Sequence, residues 1–368
     1  MADSVRVGIV GATVTKGGSG FGAEAHVPAL HAVPGIELRA VCTTREETAR
    51  ASADAFDAPL AFSDIDEMAA HPDVDLVVVC VRVPWHRDLV MAGLRTGKPV
   101  FCEWPLGRTL AEAQEMADEA RTRSLATMVG LQARSDPTVR YARDLVADGY
   151  VGEVLVANVT AMVPAVVERG PGRIWQADRA NGANPLTIPG GHTMDALCFL
   201  LGEVTEVTGR LATRIPHWRH AETGEQVAVT APDTISVAGQ LVDGGEVAVQ
   251  VATVRSNPSG TRIEIHGTEG SLLLTGDKVQ IGPNELRGAR GSEPLAELAP
   301  PAEYTLVAGD LPNRARTVAQ AYARIASAWR DGEAYNPDFA LAVTRHRLID
   351  AIERSAAERR AVVLEHRP

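Results

Sequence analysis

Cysteine is scarce in this chain, with four residues in 368. Cys42, Cys80, Cys102 and Cys198 lie far apart. No pair has metal-ligand spacing, and the set does not form the disulfide framework of a small secreted domain. Three of them end apolar strand-like runs, where cysteine acts as a small hydrophobe. Positive charge is also in deficit: 36 Lys and Arg stand against 47 Asp and Glu, a net charge of −11. That balance argues against a general binder of nucleic acid or of anionic membranes. No apolar stretch approaches the length of a membrane span. Met1-Ala2-Asp3-Ser4 runs straight into a strand, without the basic flank and long apolar core of a signal peptide. These absences predict a cytoplasmic protein with no metal site and no nucleic-acid or membrane partner.

What is present is ordinary globular composition, 45% hydrophobic and 23% charged, in a chain long enough for two domains. Val5–Gly11, Ile36–Cys42, Val74–Val81 and Pro99–Cys102 are apolar runs of the kind buried on both faces of a parallel sheet. Helical stretches lie between them at 45–56, 63–70 and 86–96. Thr109-Leu110-Ala111-Glu112 reads as a capping box opening a further helix, with Leu110, Ala113, Ala117 and Ala120 on its apolar face. Strand alternating with helix predicts a doubly wound α/β domain over residues 1–129.

The loop after the first strand, Gly11 to Gly22, is glycine-rich but does not spell G-x-G-x-x-G, because Thr13 holds the middle position. One reading is a modified diphosphate cradle using Gly11, Thr13 and Thr15 at a helix N-terminus. The other is a glycine-rich surface loop. The strand before it and the helix-like Ala23–Ala32 after it favour the cradle. The second strand ends in Thr43-Thr44-Arg45 rather than in an acidic residue. Hydroxyls and a guanidinium suit the 2′-phosphate of NADP better than the bare ribose of NAD. The same residues also suit an N-cap at Thr43 or Thr44 followed by a solvated arginine, and both readings hold at once.

From about residue 150 the rhythm changes. Gly152–Val163, Asp233–Val242 and Gly245–Arg255 alternate as strands, the last two joined by a hairpin turn at Asp243-Gly244. Two short strands follow in Gly260–Thr275. Strands without intervening helices predict a large, open, mostly antiparallel sheet in an α+β domain over residues 130–368. Helices at 133–148, 191–201 and 312–330 are expected to cover one face, leaving the other for a homodimer or homotetramer. Residues 214–231 and 282–303 read as loops. A final helix over 338–358, with Leu341, Leu348, Ile349, Ile352 and Ala356 on one face, is expected to pack back toward the first domain.

Several segments together resemble the Gfo/Idh/MocA oxidoreductases. They are the opening Val-Gly-Ile-Val-Gly strand, Val83-Pro84-Trp85-His86, and Gly97-Lys98-Pro99-Val100-Phe101-Cys102-Glu103-x-Pro105-Leu106. Gly191-His192-x-x-Asp195 and Leu348-Ile349-Asp350-Ala351-Ile352 complete the set. The resemblance implies a Rossmann domain, NAD(P) held between the two domains, and hydride exchange with a sugar, polyol or similar alcohol. It also implies oligomers built through the open sheet. The chemistry of the family usually rests on the lysine of Glu-Lys-Pro, an aspartate, and a histidine four residues after it. Here those positions are Trp104, Ile188 and His192. Glu-Trp-Pro-Leu-Gly resembles a narrower branch that includes a fungal repressor.

His192 is therefore the candidate acid/base, since imidazole titrates near neutrality. A structural histidine at a helix start is the alternative. Asp195 either orients it or is a plain helix residue. Trp104 offers a flat face and an indole N–H but no proton transfer, and it stands among both the cofactor and the substrate candidates. Glu103 holds backbone geometry or reaches the nicotinamide ribose. Val81, Arg82 and His86 join Glu103 as cofactor candidates. Gln132, Arg134, Trp175 and Gln176 join Asp195 as substrate candidates, with loop packing or a solvated charge as their alternatives. The reading is an NAD(P)-dependent oxidoreductase of a polyhydroxylated small molecule. A dinucleotide-binding regulator on the same fold is the rival.

Overall fold

A computed structural model of the chain describes residues 4–15 and 20–364. Two compact units emerge: residues 1–132, 171–173 and 306–344 form the first, and 133–170, 174–305 and 345–368 the second. The first contains strands β1 (Val5–Val10), β2 (Ile36–Cys42), β3 (Leu60–Phe62), β4 (Leu76–Val79), β5 (Val100–Glu103) and β6 (Thr127–Gly130). The second contains β7 (Val154–Pro164), β8 (Glu168–Arg169), β9 (Val204–Ala212), β10 (His217–His220), β11 (Gln226–Ala228) and β12 (Thr234–Leu241). It continues with β13 (Glu246–Val254), β14 (Gly260–Gly267), β15 (Gly270–Gly276), β16 (Asn284–Arg290), β17 (Ala296–Glu297) and β18 (Val362–Val363). The α-helices are α1 (Val27–Ala32), α2 (Glu46–Ala55), α3 (Ile65–Ala70), α4 (His86–Arg95), α5 (Leu110–Thr122), α6 (Pro137–Ala147), α7 (Gly191–Leu201), α8 (Asn313–Asp331) and α9 (Phe339–Glu358).

The first unit is a parallel sheet in the order β3-β2-β1-β4-β5-β6. Strands β4, β5 and β6 are buried at every position, which explains their unbroken apolar runs. Strand β3 is three half-buried residues and gives no such signal. At the capping box Thr109 accepts from the Glu112 amide at 3.2 Å, while Glu112 reaches back to the amide of Arg108 at 2.8 Å. Strand order reverses between β1 and β4, the place where doubly wound sheets open a crevice. Gly11 closes β1 there with φ +99°, and a Cβ on it would lie 2.1 Å from the Cys80 carbonyl oxygen. Helix α8 corrects one expectation. Its Ala315, Val318, Tyr322 and Ile325 join the core of the parallel sheet with Val7, Leu30 and Phe101 instead of covering the second sheet. An apolar stripe says that a helix buries a face, not which sheet receives it.

In the second unit nine strands lie in the order β17-β16-β15-β14-β7-β13-β12-β9-β18. Only β7 and β13 pair in parallel; the other neighbours are antiparallel. The β12–β13 hairpin turns at Asp243-Gly244, where the Gly244 amide donates to the Leu241 carbonyl at 2.9 Å. Helices α6 and α7 lie against the sheet, and α9 binds it by Ser355 Oγ accepting from the Gly209 amide at 2.9 Å. The opposite face alternates outward with Ser236, Ala238 and Gln240 on β12 and Glu246, Ala248 and Gln250 on β13. Two stretches expected as loops carry strands. Within 214–231, β10 and β11 form a small sheet with β8, anchored by Trp218 against Ala177, Val229 and Ala231. Within 282–303, β16 and β17 extend the large sheet. Strands β10, β11 and β17 are only two to four residues long, and β16 buries Asn284 and Gly288 beside Leu286, so none shows the apolar alternation that marks longer strands.

Two glycines separate steric exclusion from backbone strain. Gly97 also has positive φ, but nothing lies within 4 Å of a Cβ there. Gly97→Ala is expected to cost about 1 kcal/mol by urea denaturation, and Gly11→Ala more than about 3 kcal/mol because backbone must move.

Candidate active site

In the first unit the predicted cofactor residues surround the crevice end of the sheet. Thr13 Oγ1 accepts from the Thr15 amide at 3.1 Å, folding the turn on itself. The remaining loop residues, 16–19, lie outside the described ones. The helical segment that follows packs against the turn so closely that a Cβ on Gly22 would lie 2.9 Å from Ala12 Cα. At the end of β2, neither threonine caps α2. Arg45 is the N-cap residue, extended and without a side-chain cap bond. Thr43 instead donates to the Arg45 carbonyl at 3.0 Å and meets the Thr48 hydroxyl at 2.7 Å. Thr44 and Arg45 are exposed.

Val81 is half-buried and Arg82 exposed at the end of β4. His86, buried at the start of α4, faces the Pro105 carbonyl with Nδ1 at 2.9 Å and the Val81 carbonyl with Nε2 at 3.2 Å. Burial holds its pKa below the ordinary value, against the pull of those two carbonyls. The ring thus ties the loop after β4 to the Glu103-Trp104-Pro105 turn, in which the Trp104–Pro105 peptide is cis. Trp104 itself is buried, at 5% exposure.

Glu103 is the centre of a buried polar cluster. Gln132 Nε2 donates to both of its oxygens, at 3.0 and 2.8 Å, and His26 Nε2 lies 3.0 Å from Oε1. His26 Nδ1 in turn meets the Tyr322 hydroxyl at 2.7 Å. Gly130 makes room for the carboxylate, since a Cβ there would fall 2.5 Å from Oε1. Burial, and then the Glu103 charge, push the Tyr322 phenol well up. The same two causes raise the Cys80 and Cys102 thiols, while burial lifts Cys42 to about 12 and Cys198 to about 11. The four cysteines are core residues rather than nucleophiles. Among the described residues no group of His, Cys, Asp and Glu is placed to hold a metal ion, and no helix is long and apolar enough to cross a membrane.

In the second unit a π-helical turn, Leu186–Gly190, carries Ile188 and leads into α7. Helix α7 is almost wholly buried and holds His192 and Asp195 one turn apart. The Asp195 carboxylate, at 0% exposure, is taken by arginines. Arg134 reaches it through Nε at 2.9 and 3.0 Å and Nη2 at 2.8 Å, and Arg345 Nε lies 3.1 Å away. Arg345 is itself buried and also bonds Glu203. The guanidinium of Arg134 sits 4.9 Å from the centre of the Phe199 ring. Trp175 and Gln176 lie on a short 3-10 turn, half-buried, with Gln176 Oε1 accepting from Arg169 at 2.5 Å.

Sequence reading did not single out His26, Tyr322, Gly130 or Arg345. A histidine and a tyrosine 296 positions apart leave no local pattern, although a histidine inside the apolar run Ala25–Leu30 is a signal that can be sought. Arg345 is the clearest case for energetics. Removing it as Arg345→Met leaves buried carboxylate charge short of a partner, for an expected loss of about 3–5 kcal/mol in urea unfolding. The exposed Arg50–Glu46 pair should cost less than about 1 kcal/mol when broken.

Comparison with known proteins agrees with this architecture. Residues 5–131 match an oxidoreductase family with an NAD-binding Rossmann fold, and residues 137–276 match the C-terminal domain of Gal80p. The chain is 32% identical over 333 residues to the dehydrogenase aclE of Aspergillus oryzae, covering 87% of each chain. It is 26% identical to the galactose/lactose metabolism regulatory protein GAL80 of Saccharomyces cerevisiae, over 75% of this chain and 68% of that one. Levoglucosan dehydrogenase in complex with NADH and levoglucosan shares its fold, with a TM-score of 0.87, 22% identity and coverage of 98% and 99% of the two chains. The chain belongs to the Gfo/Idh/MocA oxidoreductase family, and its C-terminal region is of the Gal80 type.

Proposed function

We propose that the protein is an NAD(P)-dependent oxidoreductase acting on a CH–OH group of a sugar-like or polyhydroxylated small molecule. Residues 1–129 would bind the dinucleotide, and 130–368 the substrate and a second copy of the chain. The observation that carries this reading is the turn after β1. Gly11 admits no side chain against Cys80, and Gly22 admits none against Ala12, which brings helix and strand backbone as close as a diphosphate site requires. The residues present therefore fit a dinucleotide. Its nicotinamide supplies the hydride acceptor or donor.

The chain's own residues have the following roles. Gly11, Thr13 and Thr15 line the diphosphate turn, with Val81, Arg82 and His86 at its β4 side. Thr44 and the exposed Arg45 receive a 2′-phosphate, so NADP is preferred to NAD. His192 takes the proton from the substrate hydroxyl on a ring nitrogen as the carbon below loses hydride. Trp104 supplies an apolar wall that excludes water, and its indole N–H is the one polar contact it can offer. Arg134, Trp175 and Gln176 shape the substrate end. Asp195 anchors α7 through its arginines, and Gln132 acts on Glu103 rather than on substrate. The open face of the large sheet, with its small and polar residues, takes a second copy. The match of residues 137–276 to the Gal80p C-terminal domain favours one other reading, a dinucleotide-binding regulator.

Two measurements separate these. NADPH titration by fluorescence and turnover on a polyol and sugar panel should show His192→Ala losing at least about 100-fold in rate with NADPH affinity within about twofold. Tight NADPH binding by the wild type with no turnover of any substrate supports the regulator instead. Arg45→Ala should weaken NADPH about tenfold and leave NADH unchanged; equal weakening of both would remove the NADP assignment.

A further inference from the structure

Tyr322, His26, Glu103 and Gln132 form one continuous hydrogen-bonded chain inside the first unit, with exposures of 1%, 0%, 9% and 3%. Gln132 Nε2 can only donate, and it reaches both Glu103 oxygens, so each of them accepts a hydrogen bond. His26 bridges the chain, with Nε2 3.0 Å from Glu103 Oε1 and Nδ1 2.7 Å from the Tyr322 hydroxyl. Phe21, Phe101 and Tyr322 meet the imidazole edge-on, with ring centres 5.6, 5.6 and 5.7 Å away, which fixes its plane. An apolar cavity lined by Phe101, Val129, Val318 and Ile325 lies against Tyr322 and Gln132. The titratable groups facing this chain are Cys80, Cys102, Tyr335 and His86. Burial pushes both thiols up and the His86 imidazole down, which favours the uncharged form of each. Glu103 is the one carboxyl group of this hydrogen-bonded chain, at the end of β5, in low-dielectric surroundings that lengthen the reach of a charge there.

We propose that Tyr322 and His26 are positioning residues that hold Glu103 ionised and immobile, and that this fixed charge sets the preference of the site for the oxidised nicotinamide over the reduced one. The oxidised ring is cationic and the reduced ring neutral, so a fixed anion discriminates between them. The inference rests on the dinucleotide reading above.

The test measures dissociation constants for NADP+ and NADPH between pH 6 and 9, by calorimetry and fluorescence. In the wild type the ratio should be flat with pH. Glu103→Gln should weaken NADP+ about tenfold while NADPH changes by less than about twofold. Tyr322→Phe, which removes one oxygen, and His26→Ala should lower the preference for NADP+ at acid pH and restore it at alkaline pH, as a less supported Glu103 regains its charge. His26→Gln keeps a donor toward Glu103 and should restore the flat profile. An unchanged ratio in every variant, or equal weakening of both forms, overturns the proposal. Binding of neither form by the wild type removes the dinucleotide reading itself. The support that His26 gives Glu103 is then judged by infrared difference spectra against Glu103→Gln at pH 6. A protonated carboxyl band in His26→Ala and none in the wild type supports the proposal; no band in either, or one in both, overturns it.

Discussion

The carboxylate of Glu103 sets the terms for its surroundings. A charge taken out of water is costly unless every lone pair is met, and here the donors come from three separated parts of the chain. Gln132 follows β6, His26 sits in the helical segment after β1, and Tyr322 on α8 supports His26 from behind. That requirement brings a helix from late in the sequence into the core of the first unit. It also demands glycine at 130, because any side chain there would collide with the carboxylate. The residue that follows Glu103 is Trp104, so the turn bearing the altered family position is held by the same contacts.

The second unit repeats the principle with a different balance. Asp195 is neutralised by two guanidiniums, and Arg345 passes its remaining charge interaction to Glu203. Helix α7 is thereby locked in the orientation that carries His192. In the usual family site a lysine and an aspartate accompany the histidine. Here tryptophan and isoleucine stand in those places, leaving His192 as the one titratable member of that set. On the proposed reading, the proton moves through that single imidazole, and the tryptophan offers an apolar surface in place of the lysine. Family membership is thus compatible with catalysis and also with regulation, and both are represented among the chain's relatives.

The parallel sheet was legible in the sequence because its strands are buried on both faces, and runs such as Leu76–Val79 permit little else. Helix α7 and the β12–β13 hairpin were legible too, the first from its apolar density and the second from Asp243-Gly244. Strands β10, β11, β16 and β17 were not, because the first two and the last are too short for a pattern and β16 buries Asn284 and Gly288 where an apolar residue would mark a strand. The role of α8 was hidden for another reason, since amphipathicity does not name a partner. For the candidate site, motif spacing singled out Glu103, Trp104 and His192. Gln132 and Arg134 were singled out too, but their pairing with Glu103 and Asp195 was not, and His26, Tyr322 and Arg345 stayed hidden because they meet their partners only in three dimensions.

On the proposed reading, His192 is the one acid/base that hydride exchange in this protein requires. The most direct test of that reading is incubation with NADPH deuterated at nicotinamide C4 and a panel of ketoses and aldoses, followed by mass spectrometry of the products. Transfer of one carbon-bound deuterium to a reduced product is the predicted result. Retention of all deuterium on tightly bound cofactor, with every sugar unchanged, would contradict it.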